Sequence, residues 1–294
     1  MRHMPYRVGI VGTDNSHAIT FSQIANGVDQ ANQVSGFEVT HLFGLDTKRN
    51  QEVAEKGKIS NIVSKPSEML GKIDVAFVEF RHGGLHLKYA KPFIEKGIPV
   101  FVDKPLAAST GDARKLLRLA KKKHIPFVSF STLRFAAAVQ EFKSLLAAEQ
   151  PLYLSVLGPG DLKSEYGGLI FYGIHPAEIL NEIAGQGVRE VMAVRKDRNV
   201  SATLVHTKFI GSIRISPDIP YLFSIEAVTK KSVLTKKVDT TTCYRDGMIK
   251  LREMLDSKRW PLTDKDMFEP VAVINAISKS MTSGRRAKVE QLAR

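Results

Sequence analysis

Along the first 130 residues, short apolar runs alternate with longer segments whose apolar positions recur at helical spacing. The run over 6–11 reads as a buried strand. It is followed by Gly12-Thr13-Asp14-Asn15-Ser16, a turn rich in capping residues, and by a helix over 17–25 with Asn15 or Ser16 as its N-cap. The same unit repeats. Strands are predicted over 37–45 (ending at Asp46), 74–80, 99–102 and 126–130, and helices over 48–56, 85–96 and 110–123. In the last of these, Ala113, Leu116, Leu117 and Ala120 form one stripe. After Arg134 the pattern changes. Helices are predicted over 136–148 and, beyond Gly167-Gly168, over 175–184, with a strand over 153–157. Strand-like runs then follow at 191–194, 202–209, 211–215, 221–228 and 232–237. Helices over 246–255 and 271–280 close the chain, the second just after Pro270, a residue that a helix start tolerates.

Strands that are apolar on both faces and alternate with helices belong to a parallel sheet covered on both sides. With right-handed crossovers this gives a doubly wound, Rossmann-type domain, expected over residues 1–131. Many strands with few intervening helices predict a mainly antiparallel sheet. Residues 132–294 are therefore expected to form an α+β substrate and oligomerisation domain, and the fold class is α/β.

A length of 294 residues suits two cores, and 43% hydrophobic with 25% charged residues is ordinary for a globular chain. The sequence has no apolar run of bilayer length and no signal-peptide region at its start, so no membrane partner is expected. A single cysteine, Cys243, rules out an intrachain disulfide and fits a reducing compartment, with cytoplasm as the expected location. The net charge of +13 raises the question of nucleic acid. Lys and Arg are scattered, however, and Lys121, Lys122 and Lys123 sit at a helix end, where cations complement the dipole. A solvated basic surface is the expectation, with no nucleic-acid partner and no metal site.

A strand, a glycine turn and a helix N-terminus form an anion site suited to a pyrophosphate. The fingerprint G-x-G-x-x-G aligns with Gly12 to His17, assigning Gly12, Thr13, Asn15, Ser16 and His17 to a cofactor loop. Only its first glycine is present: Asp14 holds the second position and His17 the third. A carboxylate at the second position would repel a dianion unless it points away, and Asp14 or Asn15 can equally serve as a helix cap. Asp46 can accept hydrogen bonds from an adenosine ribose, favouring NAD over NADP, while Lys48 and Arg49 could instead meet a 2′-phosphate. Asp46-Thr47 reads equally well as the cap of the next helix.

The fourth strand ends in FVDKPL, residues 101–106, which resembles the "EKP" motif of the Gfo/Idh/MocA oxidoreductases. Other stretches agree in order: DVAFVEFRHGGLHLKYAKPFIEKGIPVFVDKPLA with the family's third strand, "nxxH" helix and EKP strand; STLRF with its Arg-Phe junction; GGLIFYGIHPAEIL with "GGxxDxGxH"; and the C-terminal tail with its closing helices. The resemblance implies hydride transfer between NAD or NADP and a hydroxyl-bearing carbon of a sugar or polyol-like molecule. It implies that Lys104 orients the hydroxyl and that His175 takes its proton. It places Phe80, His86, Asp103 and Lys104 along the cofactor, and Arg134, Phe171 and Tyr172 in the substrate pocket. It further implies self-association through the second sheet, as a homodimer or homotetramer. Three departures stand out. Asp103 replaces the glutamate, Gly83 the asparagine of "nxxH", and Phe171 the aspartate four residues before the histidine. Phe171, together with Asp14 and His17 in the glycine fingerprint, motivates an alternative: a protein of the same fold without dehydrogenase activity, acting as a sugar or nucleotide sensor, or as a lyase or isomerase with a retained cofactor. Taken without the resemblance, His175 reads as a core histidine near a helix start, Lys104 as a surface lysine, and Arg134 as one end of an interdomain salt bridge.

Overall fold

The computed structural model describes residues 4–260 and 262–292; the expected domain ends at 1–3 and 293–294 lie outside the described residues. The first sheet is six-stranded and parallel, in the order β3-β2-β1-β4-β5-β6. Its strands are β1 (Tyr6–Val11), β2 (Phe37–Phe43), β3 (Asn61–Ile62), β4 (Val75–Val78), β5 (Val100–Asp103) and β6 (Phe127–Phe130). The helices α1 (His17–Ala25), α2 (Thr47–Gly57), α3 (His86–Glu95) and α4 (Thr110–Lys123) connect them. Every position of β4, β5 and β6 is buried, as a sheet covered on both faces requires. The strand order reverses between β1 and β4, and a crevice opens there at the carboxyl ends of the strands.

Aromatic packing fixes the helix that matters most. Phe21 of α1 lies edge-on to Phe77 (6.0 Å between centroids) and Phe101 (5.8 Å), and Phe101 meets Phe130 at 4.9 Å. His17 is four residues, about one turn, before Phe21 and so shares its face. Seating Phe21 on the sheet therefore aims His17 over the end of β5.

Beyond a turn at Thr132–Phe135 come α5 (Ala137–Ala148), β7 (Tyr153–Pro159), α6 (Ile170–Ala184), β8 (Val188–Lys196), β9 (Asn199–His206), β10 (Ile210–Ser216), β11 (Phe223–Val228) and β12 (Val233–Val238). The helices α7 (Cys243–Ser257) and α8 (Asp264–Ser283) and the short β13 (Ala287–Lys288) complete the fold. The second sheet has the order β12-β11-β7-β10-β9-β8-β13 and is antiparallel except for the β7–β10 pair. It is mainly antiparallel, as expected. Its strands alternate buried and open positions, because helices α6 and α8 cover one face.

Two helices begin earlier than the sequence suggests. Helix α6 starts at Ile170 and α8 at Asp264, yet each contains a proline, Pro176 or Pro270, where its start is expected. A residue before proline disfavours the helical region, which is why the reading stopped there. In α8 the Thr263–Asp266 capping box fixes the true start six residues upstream of position 270. Helix α7 likewise begins at Cys243 rather than 246, and the strand expected over 37–45 stops at Phe43. No described helix is long and apolar enough to cross a membrane.

Candidate active site

The loop after β1 is shaped by close approach. Gly12 has φ +110°, and a Cβ on it would stand 2.6 Å from the Phe80 backbone nitrogen, so only glycine fits. Thr13 Oγ1 lies 2.7 Å from Asn50 Oδ1, tying the loop to α2. Arg49 reaches back across it, donating to the carbonyls of Thr13 (2.8 Å) and Asn15 (3.3 Å) and pairing with Glu52 at 2.6 Å. Arg49 is thus committed to the loop's own backbone. Asp46 accepts from the Arg49 backbone N–H at 2.7 Å and caps α2; it and Lys48 are exposed.

Asp14, in the second glycine position, turns its carboxylate to the Arg81 backbone N–H, at 3.2 and 3.3 Å from its two oxygens. Burial raises its pKa, and the bond from Arg81 partly offsets the rise. The carboxylate that could repel a pyrophosphate is bonded across to the exit of β4. At the start of α1, Ser16 is the N-cap but makes no side-chain cap bond, and Asn15 Oδ1 accepts the His17 N–H at 3.3 Å. A tight Gly12 turn leading into a helix N-terminus whose N-cap residue, Ser16, makes no side-chain bond fits a dinucleotide phosphate.

Below this loop, Glu79 is sealed in the interior, and neither carboxylate oxygen has a hydrogen-bond partner. Burial, reinforced by Asp103 and Asp14, holds its pKa well above the usual carboxylate range. Phe80 is buried against Tyr89, ring centroids 4.5 Å apart. The sequence places His86 along the cofactor; instead it is fully buried, Nδ1 2.7 Å from the Pro105 carbonyl and Nε2 2.8 Å from that of Phe80. It clasps the β4 and β5 exit loops together and spends both ring nitrogens on backbone. Gly83 lies under that clasp. A Cβ there would be 2.7 Å from Pro105 Cγ and 3.0 Å from the Ala108 nitrogen, which leaves no room for an asparagine.

A cavity of about 340 Å³ opens between the two sheets' helices. Asn15, Ser16, His17, Arg81 and Lys104 line one side, and Phe171, Tyr172, His175, Tyr221, Thr240 and Tyr244 the other. Lys104 is only 2% exposed. Its ammonium lies 4.5 Å from the Phe171 ring centroid and 5.5 Å from that of Tyr172, and among the described residues no carboxylate lies within salt-bridge distance of it. Phe171 thus offers a ring face rather than a counter-charge. Burial lowers the Lys104 pKa below the usual lysine value, although Asp103 opposes the shift. His175 lies one turn after Phe171 on α6, its Nδ1 2.7 Å from Ser131 Oγ. Burial, then Lys104 and His17, push its pKa well below the usual histidine value.

A second set of polar groups shares this cavity. His17 Nδ1 is 2.9 Å from Asp103 Oδ2, a short contact whose approach is more oblique than a straight hydrogen bond. Asn15 Nδ2 donates to the same oxygen at 3.0 Å. On its other side, His17 Nε2 is 2.8 Å from the Tyr244 hydroxyl. Burial alone would raise the Asp103 carboxyl, but His17, Lys104 and His86 outweigh it and hold it below its ordinary value. Asp103 is fully buried beneath this set and supports it from behind.

The sequence places Arg134 in the substrate pocket; the structure does not. Arg134 is 1% exposed and bonds Glu178 (2.6 Å), Glu182 (3.1 Å), Asn181 and the Asp266 carbonyl. Two carboxylates one turn apart on α6 pull the guanidinium into the domain core. It borders a larger cavity of about 620 Å³, with Lys143, Phe209 and Leu262, which contains neither Lys104 nor His175. The reading of the sequence also missed cavity residues: Arg81, Tyr221, Thr240 and Tyr244 line the cleft, and Ser131 supports His175. Tyr244 meets His17 across 227 residues of chain, and no local pattern announces such a pair.

A parallel sheet with a phosphate-type loop at its switch point, joined to an open antiparallel sheet that closes a lysine-bearing cleft, defines a two-domain dinucleotide-binding protein. Residues 6–130 match the Gfo/Idh/MocA model, described as the oxidoreductase family with an NAD-binding Rossmann fold. The uncharacterized oxidoreductase YhhX of Escherichia coli (strain K12) is 30% identical over 105 residues, a match spanning 35% of this chain and 30% of that protein. Two solved structures share the whole architecture. GenD2 from gentamicin A biosynthesis, in complex with NAD, has a TM-score of 0.84 at 16% identity, covering 99% of this chain and 98% of that one. Scyllo-inositol dehydrogenase from Lactobacillus casei, with bound NAD(H) and scyllo-inositol, has a TM-score of 0.83 at 13% identity, covering 97% and 99%.

Proposed function

We propose that the chain is an NAD-dependent dehydrogenase acting on a hydroxyl-bearing carbon of a sugar or polyol-like substrate. The observation that carries this reading is Lys104. A desolvated ammonium stands at the carboxyl end of a central strand, in a cleft bounded by the phosphate-type loop on one side and a histidine-bearing helix on the other. Residues 1–131 would hold the cofactor and 132–294 the substrate. Backbone groups of Gly12 to Ser16 would meet the pyrophosphate, and Asp46 the adenosine ribose, with one oxygen already engaged by the Arg49 N–H. Arg49, tied to Thr13 and Asn15, is not free to meet a 2′-phosphate, which supports NAD over NADP. Bound there, the nicotinamide supplies the acceptor or donor of hydride. Lys104 then orients and polarises the substrate hydroxyl, His175 holds it from the α6 side, and the ring faces of Phe171 and Tyr172 keep water off the ammonium.

Calorimetric titration with NADH and NADPH tests the first half of this reading. Tighter binding of NADH is expected, and no binding of either at millimolar cofactor would refute it. Reduction of NAD by a panel of polyols and sugars tests the second half. Phe171, standing where a carboxylate would balance Lys104, favours one other reading: a protein that binds cofactor and sugar without turnover, which cofactor binding with no reduction across the panel would establish. The open face of the second sheet, which exposes Tyr153, Met192, Val194 and Ile210, supports self-association as a homodimer or homotetramer, to be read by sedimentation. The lone buried Cys243 supports a cytoplasmic location.

A further inference from the structure

Two imidazoles line the cleft, and they differ in what stands behind them. Behind His175 is Ser131, a neutral hydroxyl, and beside it is Lys104. A proton taken up there would add a charge beside Lys104, with Asp103 acting on it only at longer range and, among the described residues, no carboxylate at ion-pair distance. Behind His17 is Asp103, at 2.9 Å, and in front of it is the Tyr244 hydroxyl, at 2.8 Å. A proton taken up by His17 meets a counter-charge that is already in place.

We propose that Tyr244, backed by His17 and Asp103, takes the proton from the substrate hydroxyl in oxidation and returns it in reduction, in place of His175. The proposal rests on the dehydrogenase reading above. With its proton on Nδ1, toward Asp103, His17 presents the Nε2 lone pair to the Tyr244 O–H. The tyrosine oxygen then keeps a lone pair for a donor in the cavity it lines. As the substrate O–H bond breaks, a new O–H bond forms on Tyr244. The tyrosine's own proton passes to His17 Nε2, and the resulting imidazolium is paired with Asp103. A bound oxidised nicotinamide would take the electron pair of the broken C–H bond as hydride, leaving a carbonyl, so the charges would balance. Tyr244 belongs to α7 and His17 to α1, so the chain of groups forms only when the two halves of the protein are together. The other titratable groups facing it are Tyr172, Tyr221 and Cys243 around Tyr244, and His175 and Lys104 across the cavity.

Three departures from the family pattern thereby acquire one explanation. His17 in the third glycine position is the relay. The shorter Asp103 sits at ion-pair distance from it. Phe171 can dispense with a carboxylate because Asp103 supplies the counter-charge for the acid–base pair.

The test uses the full-length protein. In the cofactor-free state, 15N NMR of labelled histidine, with His17 assigned by its loss in His17→Gln, is expected to show Nδ1 protonated and Nε2 as the acceptor, with the Nε2 shift moving in Tyr244→Phe. A His17 protonated on Nε2 would overturn the proposal, because Tyr244 would then be the acceptor. For turnover, Tyr244→Phe and His17→Gln are each expected to lower kcat about 10²–10⁴-fold, a loss larger than any change in NAD affinity, with the fold retained by circular dichroism. The double variant should be no slower than either single one, as groups acting as a unit behave. His175→Gln should raise KM more than it lowers kcat. Near-normal kcat in Tyr244→Phe, or a larger kcat loss in His175→Gln, overturns the assignment. If the wild type binds NAD but oxidises nothing in the panel, the dehydrogenase reading fails, and the tautomer still decides the hydrogen-bonded chain.

Discussion

Replacing Arg134 with methionine separates a structural from a substrate role for the largest fully buried charged side chain of the second domain. The guanidinium holds Glu178 at 2.6 Å and Glu182 at 3.1 Å and also bonds Asn181 and the Asp266 carbonyl. Its removal does not strand both carboxylates equally. Glu182 keeps Lys143 at 2.6 Å and Gln140 at 3.2 Å, whereas Glu178 keeps only the Ser131 N–H at 2.7 Å. Breaking a buried pair by removing one partner costs roughly 3–5 kcal/mol, and with one carboxylate stranded the lower figure, about 3 kcal/mol, applies near neutral pH. For a domain of this size that corresponds to a fall in Tm of roughly 6–12 °C. The loss should shrink as the pH falls. Burial already raises the Glu178 pKa, and without Arg134 it rises further, so a proton neutralises the stranded carboxylate in mildly acidic buffer. Urea unfolding of wild type and Arg134→Met at pH 8 and pH 5.5 measures both effects. Adding Glu178→Gln to the variant should restore much of the loss, because it removes the stranded charge. Stability within about 0.5 kcal/mol of wild type, combined with a raised KM, would refute this reasoning and return Arg134 to the substrate pocket.

Lys104→Met should behave in the opposite way: thermal stability unchanged or slightly raised, since a desolvated ammonium facing ring surfaces is exchanged for an apolar chain, while turnover in the NAD-reduction assay falls at least a hundredfold. Gly12→Ala should weaken NAD binding more than tenfold by calorimetry, because the new methyl must displace the Phe80 backbone from 2.6 Å at a φ of +110°. Folding stability should fall with pH between about 6.5 and 5. His175 and His86 have pKa values lowered by burial, so below the ordinary histidine value the unfolded chain binds protons that the fold refuses; the slope reaches ~1.4 kcal/mol per pH unit for each ring. Urea midpoints across that range measure it, and His175→Gln should remove one ring's share.

The fold was legible because its signals are local. In 110–123 the apolar stripe and the Lys121, Lys122 and Lys123 terminus all lie within one helix, and the predicted bounds coincide with those of α4. Where prolines interrupt a helix, as at Pro176 and Pro270, the local rule misplaced the start. The residue motifs likewise found Lys104 and His175, because those residues sit in recognisable runs. They did not find Tyr221 or Tyr244. Tyr244 and Tyr221 come from separate elements of the second domain, and only the packing of α1 against α7 brings His17 and Tyr244 together. Arg134 was misassigned for the same reason: Glu178 and Glu182 share a face of the predicted helix over 175–184, but only tertiary packing turns that face toward Arg134, 44 and 48 residues away.

The departures in the phosphate loop and the cleft have to be read as a set, because each carboxylate or its absence alters the charge its neighbours meet. A carboxylate at position 171 would neutralise Lys104 directly. The Phe171 ring leaves the ammonium with a weaker partner, and burial lowers its pKa. Burial also lowers the His175 pKa, and Lys104 and His17 add to the shift, so a proton on His175 is costly. Any proton leaving the substrate must then go elsewhere, to a place where negative charge is already fixed. Among the groups lining the cleft only His17 stands at ion-pair distance from such a charge: cationic surroundings lower the Asp103 pKa, while burial raises that of Glu79, which is deeper and has no hydrogen-bond partner. The histidine in the glycine fingerprint and the phenylalanine in the second domain are therefore linked by charge: restoring an aspartate at 171 without removing His17 would give the cleft two competing proton acceptors.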